Sequence, residues 1–388
     1  MRIALVTEWI DGWRGGAETS TFQFLHHLLE AGIEVDLYTR SRISPVPGLQ
    51  VHTVSGAAVT RTRRSITFAQ RVDRRVRDGG YDVVHAITPC RSATVYQPRG
   101  GTVAESVERN LALLPPGRLR RLKRIANQLN FKQRHQLALE RRLFTSPDGP
   151  VILALSNYVA DQLRRHYRVD ASRVRVVYNA VNPDEASASR RRQDREAIRS
   201  EYTIADTDFL VIVVAHNFRL KGVARWLEAQ ALLRREGGRR VRSLIIGRMP
   251  SVRWRQQAER LGVSDVVRFV GSSNRVQAFM HAADALVHPT YYDPCSRVVL
   301  EALVSGLPCV TTRWDGASEA VRQGESGFIV DDPADVEGIA SCVRRLLDPS
   351  AQEAAARAAL AGADRLYMKR HAREVIGVYE EMTARCVR

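Results

Sequence analysis

Two carboxylates stand eight residues apart around an apolar run in the second half of the chain. Asp293 is followed by Pro294, and Glu301 lies inside the stretch 298–304, whose other residues are all apolar. The run predicts a helix over 297–305 with little surface facing water. Because an ionised carboxylate is costly to bury without a partner, Glu301 is expected to meet a ligand or a cation.

Each carboxylate also has a purely structural interpretation. Asp before Pro is a common helix start, with Asp as the N-cap and Pro at the first helical position, so Asp293 can serve as a cap alone. Glu301 can pair with Arg297, one helical turn earlier. The residue types at these positions leave both interpretations open.

Two further groups of residues suit an anion. Arg219 and Lys221 follow a predicted strand and precede a predicted helix, where two cations can neutralise a diphosphate leaving group. Gly15 and Gly16 open the first predicted helix, whose backbone N–H groups also suit an anion. A solvated basic loop and a plain strand-to-helix turn are the alternatives, and the glycines lack the G-x-G-x-x-G spacing of a dinucleotide site.

The elements that must position these residues alternate between strand and helix patterns in both halves of the chain. Such alternation predicts parallel βαβ units and doubly wound sheets. Strands are predicted at 3–7, 35–38, 82–86, 151–155 and 174–178, and again at 209–215, 243–246, 266–270, 285–288 and 308–311. Helices are predicted at 18–30, 157–167, 223–236 and 297–305, and the tail from about 335 is expected to be helical.

This order predicts an α/β protein of two Rossmann-like, doubly wound domains that face a cleft, where ligands bind beyond the strand carboxyl ends. We place an N-terminal domain at 1–182, a polar linker at 183–204 and a second domain at 205–365. The final segment, 366–388, is expected to form a helix that packs back toward the first domain.

The positive charge of the chain is concentrated in its first half. Residues 1–200 hold 33 Lys and Arg against 19 Asp and Glu, whereas residues 201–388 hold 26 against 23. Such a surface suits nucleic acid, an anionic membrane or an anionic glycolipid. Five scattered cysteines without a CxxC pair predict neither a disulfide framework nor a zinc site. No apolar run is long enough for a membrane helix or a signal peptide, so a cytoplasmic location is expected.

Much of this charge lies in a basic amphipathic segment that we place at 105–144. Between 118 and 142 there are nine Lys and Arg and one acidic residue. Apolar residues recur there at roughly helical spacing, namely Leu119, Leu122, Ile125, Leu129 and Phe131. A basic amphipathic helix can lie on an anionic membrane surface, and a helix pair packed on the core is the alternative. Phe131 alone is too little for the aromatic stacking that single-stranded nucleic acid favours, so no nucleic-acid partner is expected.

The stretch 209–328 resembles the C-terminal domain of family-4 retaining glycosyltransferases of the GT-B fold. The matching residues are Arg219, Lys221 and Gly222, Val270 and Gly271, His288 and Pro289, 293–302, 305–308, 316–319, Gly324 and Gly327. In the first half, 15–18 and 179–182 fit the same family, so the resemblance spans nearly the whole chain. The layout is most similar to the branch that contains the lipopolysaccharide core glucosyltransferases.

The resemblance implies a role for each matching site residue. Arg219 and Lys221 would hold the nucleotide diphosphate, and Asp293 would contact hydroxyls of the donor sugar. Glu301 would accept hydrogen bonds from the ribose hydroxyls, which supplies the partner that its position demands. The residues implied to approach the phosphates through their backbone are Ser296, Arg297 and Val298, with Gly15 and Gly16 from the other domain.

Three positions depart from the family pattern. Arg219 lies two residues before Lys221, whereas other branches place the Arg immediately before the Lys or several residues earlier. The family usually has Glu as the first acid, whereas this chain has Asp293, which is one methylene shorter. Many members carry a His after the fourth strand that contacts the donor sugar. His85 is the candidate here, with packing at the strand end as its alternative role and Ile87 as another occupant of the family position.

The resemblance implies a retaining hexosyltransferase that uses a nucleoside-diphosphate sugar, with UDP-glucose as the expected donor. The acceptor would be a glycan or glycolipid such as a lipopolysaccharide core, contacted by Arg99, Gly100 and Gly101 unless these form an ordinary turn. No cofactor and no metal are expected, since the donor region has no Asp-x-Asp motif. The segment 118–142 would hold the protein at the inner face of the membrane. An epimerase or hydrolase of nucleotide sugars on the same fold is the alternative.

Overall fold

The computed structural model describes residues 1–10, 16–55, 60–248 and 252–386, and the chain divides into two compact units. The first unit combines Met1–Val181 with Tyr367–Arg388, and the second unit is Asn182–Leu366.

A seven-stranded parallel sheet forms the centre of the first unit. Its strands are β1 (Arg2–Val6), β2 (Glu34–Thr39), β3 (Leu49–Thr53), β4 (Val83–Ala86), β5 (Val95–Tyr96), β6 (Val151–Ala154) and β7 (Val174–Val176). They lie in the order β3-β2-β1-β4-β5-β6-β7. The helices of this unit are α1 (Gly16–Glu30), α2 (Arg61–Arg77), α3 (Val103–Ala112), α4 (Arg118–Leu129), α5 (Phe131–Thr145) and α6 (Asn157–Tyr167), together with the C-terminal helix Met368–Cys386.

Both faces of this sheet are covered, which explains why its central strands read as unbroken apolar runs. Along β1, Ile3 and Leu5 pack into the cluster that contains Tyr379 of the C-terminal helix. Ala4 and Val6 point the other way and join the cluster on the opposite face. The end of the chain therefore completes the core of the first unit.

The second unit is built around a six-stranded parallel sheet. Its strands are β8 (Phe209–Val214), β9 (Val241–Ile246), β10 (Val267–Gly271), β11 (Ala285–His288), β12 (Cys309–Thr312) and β13 (Gly327–Val330), in the order β10-β9-β8-β11-β12-β13. The helices are α7 (Ala188–Glu201), α8 (Val223–Glu236), α9 (Val252–Arg260), α10 (Val276–Ala282), α11 (Arg297–Val304), α12 (Val336–Leu346) and α13 (Pro349–Leu360). The C-terminal helix of the first unit is accordingly α14. The doubly wound α/β architecture predicted from the sequence is confirmed in both units.

The stretch 183–204, predicted to be a linker, differs from that prediction because it contains α7, which packs against α10. Arg199 of α7 is 3% exposed and donates hydrogen bonds to the backbone oxygens of Ala205 and Asp208 at 2.6 and 2.8 Å. His281 of α10 bonds Asp194 of α7 at 2.8 Å. Asp194 and Arg199 are thus buried with polar partners, although most other polar residues of this stretch are exposed.

In each sheet the order of the strands reverses at one point. The reversal falls between β1 and β4 in the first unit and between β8 and β11 in the second. Ligands of doubly wound sheets bind outside the carboxyl ends of the strands at such switch points. The loops that follow these four strands are therefore where a site is expected.

Candidate functional site

The loops after β8 and β11 bring Lys221 and Asp293 together at the switch point of the second unit. Lys221 Nζ donates a hydrogen bond to Asp293 Oδ2 and a second one, of 3.2 Å, to the backbone oxygen of Tyr292. The two side chains are 16% and 17% exposed. Each residue was predicted as part of a site, and the structure adds that they form an ion pair.

The backbones of these two loops are held in close contact. The Tyr291 N–H donates to the Leu220 oxygen at 2.8 Å, and Thr290 Oγ1 donates to the same oxygen at 3.2 Å. Gly222 has a φ of +68°, and a Cβ at that position would lie 2.0 Å from the Pro289 oxygen. Glycine is therefore required beside Lys221, because a side chain would force apart the loops that carry the ion pair.

The start of α11 corrects the interpretation of Asp293 as a helix cap. The helix begins at Arg297 with Ser296 as its N-cap residue. Asp293 Oδ1 instead accepts a hydrogen bond of 3.2 Å from the Cys295 N–H, within the turn that precedes the helix. This bond fixes one carboxylate oxygen in the loop and leaves Oδ2 with Lys221.

A buried carboxylate that sequence reasoning missed, Asp315, ties this turn to the next strand. Asp315 Oδ1 accepts hydrogen bonds from the N–H groups of Ser296 and Ala317 at 3.0 and 2.9 Å. Asp315 Oδ2 accepts from the hydroxyl of Ser296 and, at 3.0 Å, from that of Thr311. Burial raises the pKa of Asp315 to about 6, and the charge of Asp293 acts in the same direction. The sequence signal for this residue was the pair Asp315 and Gly316, which is typical of a turn and follows the strand predicted at 308–311.

A second group missed as a site residue is His288, the last residue of β11. The side chain is 1% exposed, and neither ring nitrogen has a hydrogen-bond partner among the described residues. His288 Nε2 lies 3.9 Å from Asp293 Oδ2. Burial lowers the pKa of His288 well below its usual value, and the charge of Lys221 acts in the same direction, so the ring is neutral.

Glu301 is less buried than its apolar neighbours predict. Its side chain is 34% exposed, and Arg297 Nη2 donates a hydrogen bond to Glu301 Oε1 at 2.8 Å. The pairing with Arg297, given above as the structural alternative, is what the structure contains. Helix α11 turns this position toward a partly exposed side, where Val298 also lies, so more of the helix surface faces water than the apolar run predicts. The ribose-binding role stays a prediction.

Three other residues predicted to contact phosphate, Arg219, Gly15 and Gly16, differ in what the structure shows of them. Arg219 is exposed in the loop after β8, and its guanidinium has no partner within the described part of the chain. Gly16 begins α1, at the carboxyl end of β1, whereas Gly15 lies outside the described residues. The structure thus leaves Arg219 available to an anion and gives no geometry for Gly15.

His85 lies in the core of the first unit, where no donor sugar can reach its ring. The side chain is 0% exposed, and its Nδ1 is hydrogen-bonded to the hydroxyl of Tyr379 on α14. Phe24 packs edge-on against the ring. The predicted donor contact is replaced by the packing role, because β4 carries this residue toward α1 and α14 rather than to the strand end. Ile87 lies beyond the end of the strand and lines a pocket.

That pocket, with a volume of about 680 Å³, lies at the switch point of the first unit. Its wall includes Glu8 after β1 and Thr88 after β4. Arg99, Gly100 and Gly101, the predicted acceptor contacts, also line it. The other charged or titratable residues of its wall are Glu18, Asp73, Arg91, Tyr96, Lys132, His135 and Glu140. The pocket is wide enough for a saccharide and has both signs of charge to bind one.

The basic segment forms α4 and α5, which differ in how they are anchored. Helix α5 buries Leu143, Phe144 and Glu140, and the Glu140 carboxylate accepts hydrogen bonds from the Val103 N–H at 2.8 and 3.0 Å. Helix α4 has no buried residue. The core-packed alternative therefore holds for the second half of α5 and not for α4.

Apolar side chains on and next to α4 face away from the core. Their exposed fractions lie between 55% and 76%, and they are Leu119, Leu122, Ile125, Leu129 and Phe131. Within the described residues, no helix combines the length and the hydropathy needed to cross a bilayer. An exposed row of apolar groups among cations is typical of a surface that meets a partner.

One group of side chains in the described residues could reach a common metal ion, namely Glu105, Glu108 and His166. Glu105 already accepts hydrogen bonds from Tyr158 at 2.8 Å and from Arg165 at 3.2 Å, and it is bonded to His166 at 2.7 Å. This cluster belongs to the first unit, whereas Lys221 and Asp293 belong to the second. It is explained as an ion-pair network, and the expectation of no metal in the donor site stays a prediction.

Two family models match successive parts of the chain. The model described as Glycosyltransferase Family 4 matches residues 14–185, and the model described as Glycosyl transferases group 1 matches residues 194–363. Lipopolysaccharide glucosyltransferase WaaG of Escherichia coli K12 is 24% identical over 337 residues, which are 87% of each chain.

Solved structures share the fold of the whole chain. A crystal structure of WaaG, a glycosyltransferase involved in lipopolysaccharide biosynthesis, has a TM-score of 0.81 at 23% identity and covers 97% of this chain and 99% of its own. A crystal structure of Anabaena HepE in complex with UDP-glucose has a TM-score of 0.70 at 17% identity, covering 98% and 100%. The two doubly wound units are therefore those of the GT-B fold.

Proposed function

Because the chain belongs to the family-4 glycosyltransferases of the GT-B fold, we propose that it transfers a hexose from a nucleoside-diphosphate sugar with retention of configuration. The proposed donor is UDP-glucose and the proposed acceptor is a glycolipid such as a lipopolysaccharide core. WaaG, which is similar over most of its length, is named a lipopolysaccharide glucosyltransferase. HepE, which shares the fold, was crystallised with UDP-glucose.

The observation that carries this proposal is the meeting of Lys221 and Asp293 at the switch point, one turn before α11. An ammonium group suits a diphosphate, and a carboxylate suits the hydroxyl groups of a sugar. Arg219 supplies a second, exposed cation two residues before Lys221. Glu301, which lies on the partly exposed side of α11, would accept hydrogen bonds from a ribose.

The proposed reaction is a displacement on one face of the sugar. The bond between the anomeric carbon and the diphosphate oxygen breaks, and the acceptor hydroxyl oxygen bonds to that carbon from the same face. The hydroxyl proton passes to the departing diphosphate, so no separate base is required. Lys221 and Arg219 would stabilise the negative charge that develops on the leaving group, which is electrostatic catalysis combined with positioning.

The pocket of the first unit is the proposed acceptor site. Its volume of about 680 Å³ falls in the range of small-molecule sites. Arg99 and Lys132 would attract anionic groups of a glycolipid, and Glu8 would accept hydrogen bonds from sugar hydroxyls. Lys132 also belongs to α5, so part of the basic segment lines the pocket.

We further propose that α4 lies on the anionic inner face of a membrane, so that the enzyme is peripheral and cytoplasmic. Its exposed apolar residues would enter the headgroup region while its cations meet lipid phosphates. Each cation near such a surface contributes on the order of 1 kcal/mol. A lipid-linked acceptor would then be held near the pocket wall that α5 forms.

A thermal-shift screen tests the donor half of this proposal. Nucleoside diphosphates and nucleotide sugars would be added singly to the full chain, and ligands that bind the folded state raise its melting temperature. We expect UDP and UDP-glucose to raise it and inorganic phosphate to have no effect at the same concentration. An unchanged melting temperature with every nucleotide would overturn the proposal.

A further inference from the structure

His288 has no role in the reaction as described, yet it is buried with both ring nitrogens unpartnered among the described residues. Leaving a buried polar group without a hydrogen bond is unfavourable, and native proteins retain few such groups. A leucine at this position would fill similar space without that penalty. A partner that comes within reach of the ring when the site changes would remove this penalty.

The nearest charged oxygen identifies that partner. His288 Nε2 lies 3.9 Å from Asp293 Oδ2, the oxygen that holds the Lys221 ammonium. A neutral imidazole carries one N–H, which can donate when the two heavy atoms approach to about 2.9 Å. A shift of about 1 Å by the carboxylate thus converts this gap into a hydrogen bond.

Resting on the proposed function, we infer that Lys221 changes partner when the donor binds and that His288 then donates a hydrogen bond to Asp293 in its place. The diphosphate carries more negative charge than Asp293 and draws the ammonium away. The carboxylate, 17% exposed, would otherwise stay behind as a charge without a partner. The bond from His288 keeps Asp293 ionised and directed at the sugar hydroxyls.

This makes His288 a positioning residue that acts through Asp293. Burial keeps the ring neutral by lowering its pKa, so the exchange adds no second positive charge beside the ammonium. Lys221 and Asp293 are the charged groups that face the ring within the described residues. The carboxylate thereby has one partner before the donor binds and another afterwards.

Two variants separate the hydrogen bond from the packing. His288→Leu keeps apolar volume and removes the N–H, whereas His288→Gln retains an N–H at a similar distance from the backbone. We expect kcat to fall about tenfold to a hundredfold in His288→Leu, the range for a lost hydrogen bond to a charged group, and to recover largely in His288→Gln. Because the phosphates of UDP trigger the same exchange, UDP should bind His288→Leu about tenfold more weakly than wild type and His288→Gln within about twofold of wild type.

Nuclear magnetic resonance of the ¹⁵N-histidine-labelled full chain tests the exchange directly, with the His288 signals identified by their absence in His288→Gln. Saturating UDP should produce a protected N–H at Nε2 of His288, and Lys221→Ala should show the same signal without UDP. If UDP binds and the ring signals do not change, or if His288→Leu turns over like wild type, the inference is wrong. If UDP does not bind at all, the proposed function fails as well, so the two failures are distinguishable.

Discussion

Under the proposed function Lys221 neutralises charge on the donor diphosphate, so its loss should destabilise the transition state more than the folded state. We expect Lys221→Ala to lower kcat/KM for the donor by about a hundredfold to a thousandfold, the range for a lost electrostatic contact to a developing charge. Transfer assays on the purified variant measure kcat/KM, and thermal melts measure the stability of the fold. Lys369→Ala, which removes an exposed lysine of α14, is the matched control. Similar kinetics in the two variants would remove Lys221 from the mechanism.

Asp315 makes the stability of the protein depend on pH in a predictable direction. Its folded pKa of about 6 exceeds that of an ordinary Asp, about 3.9, so the folded state binds this proton more tightly than the unfolded chain. The resulting contribution to the free energy of unfolding is fully present below about pH 4 and is lost as the pH rises through about 6. Asp315→Asn removes this titration, and its amide can still bond the Ser296 and Thr311 hydroxyls.

Wild type therefore loses stability as the pH rises, and Asp315→Asn does not. We expect the free energy of unfolding of Asp315→Asn, relative to that of wild type, to increase by about 1–3 kcal/mol from pH 4 to pH 7. Denaturant unfolding of both proteins at a series of pH values measures this difference. Asp331→Asn, at an exposed carboxylate, is the control and should show no such trend. A difference between Asp315→Asn and wild type that stays constant with pH would contradict the assignment.

A site residue could be predicted from the sequence where the residues next to it along the chain indicate its role. Lys221 and Asp293 stand out as charged residues after apolar strands. Asp315 and His288 were missed because their roles depend on contacts with other loops. The Asp315 carboxylate bonds Ser296, nineteen positions away, and His288 is defined by the lack of a partner. The burial of His85 under α14 likewise depends on a residue 294 positions away.

Among the helices, α4 gives the clearest test of a surface role, because its apolar residues do not contribute to the core. We expect the triple change of Leu122, Ile125 and Leu129 to Ser to weaken binding to vesicles containing anionic lipid at least tenfold, the loss for roughly 1.4 kcal/mol of burial. The melting temperature should be unchanged. Co-sedimentation with vesicles at two salt concentrations measures the binding.

A matched control lies on another helix. Val252 on α9 is also exposed, at 67%, and Val252→Ser should leave vesicle binding unchanged. On the same helix, Arg253 and Arg255 are exposed and provide a charge control for the cations of α4. Equal binding by the triple variant and wild type would exclude α4 as the membrane contact.

Helices and strands were predicted where their buried faces consist of apolar residues that lie close together in the sequence. The central strands β1 and β8 and the helices α6 and α8 emerge from apolar runs and periodicity. Helix α7 was read as a linker because its buried face uses Arg199, Asp194 and Ile198, and two of these three residues are charged. Their partners lie on other segments, so the local pattern does not distinguish this face from exposed surface.

At the scale of the whole molecule, each unit repeats one topology, and each places its candidate site at the reversal of strand order. The second unit holds the cation and the carboxylate, and the first holds the pocket. This division matches an enzyme that binds a donor with one domain and an acceptor with the other. The alternation of strands and helices predicted both parallel sheets but missed the strands β3, β5 and β13. The pocket depends on loops that the pattern does not describe.

Transfer of labelled glucose from UDP-glucose to a lipopolysaccharide core acceptor in anionic vesicles tests the central claim most directly. We expect label to appear in the glycolipid with release of an equal amount of UDP, and we expect both to depend on the acceptor and on Lys221. Labelled free glucose or an epimerised donor, formed at the same rate without acceptor, would contradict the account and favour a hydrolase or an epimerase.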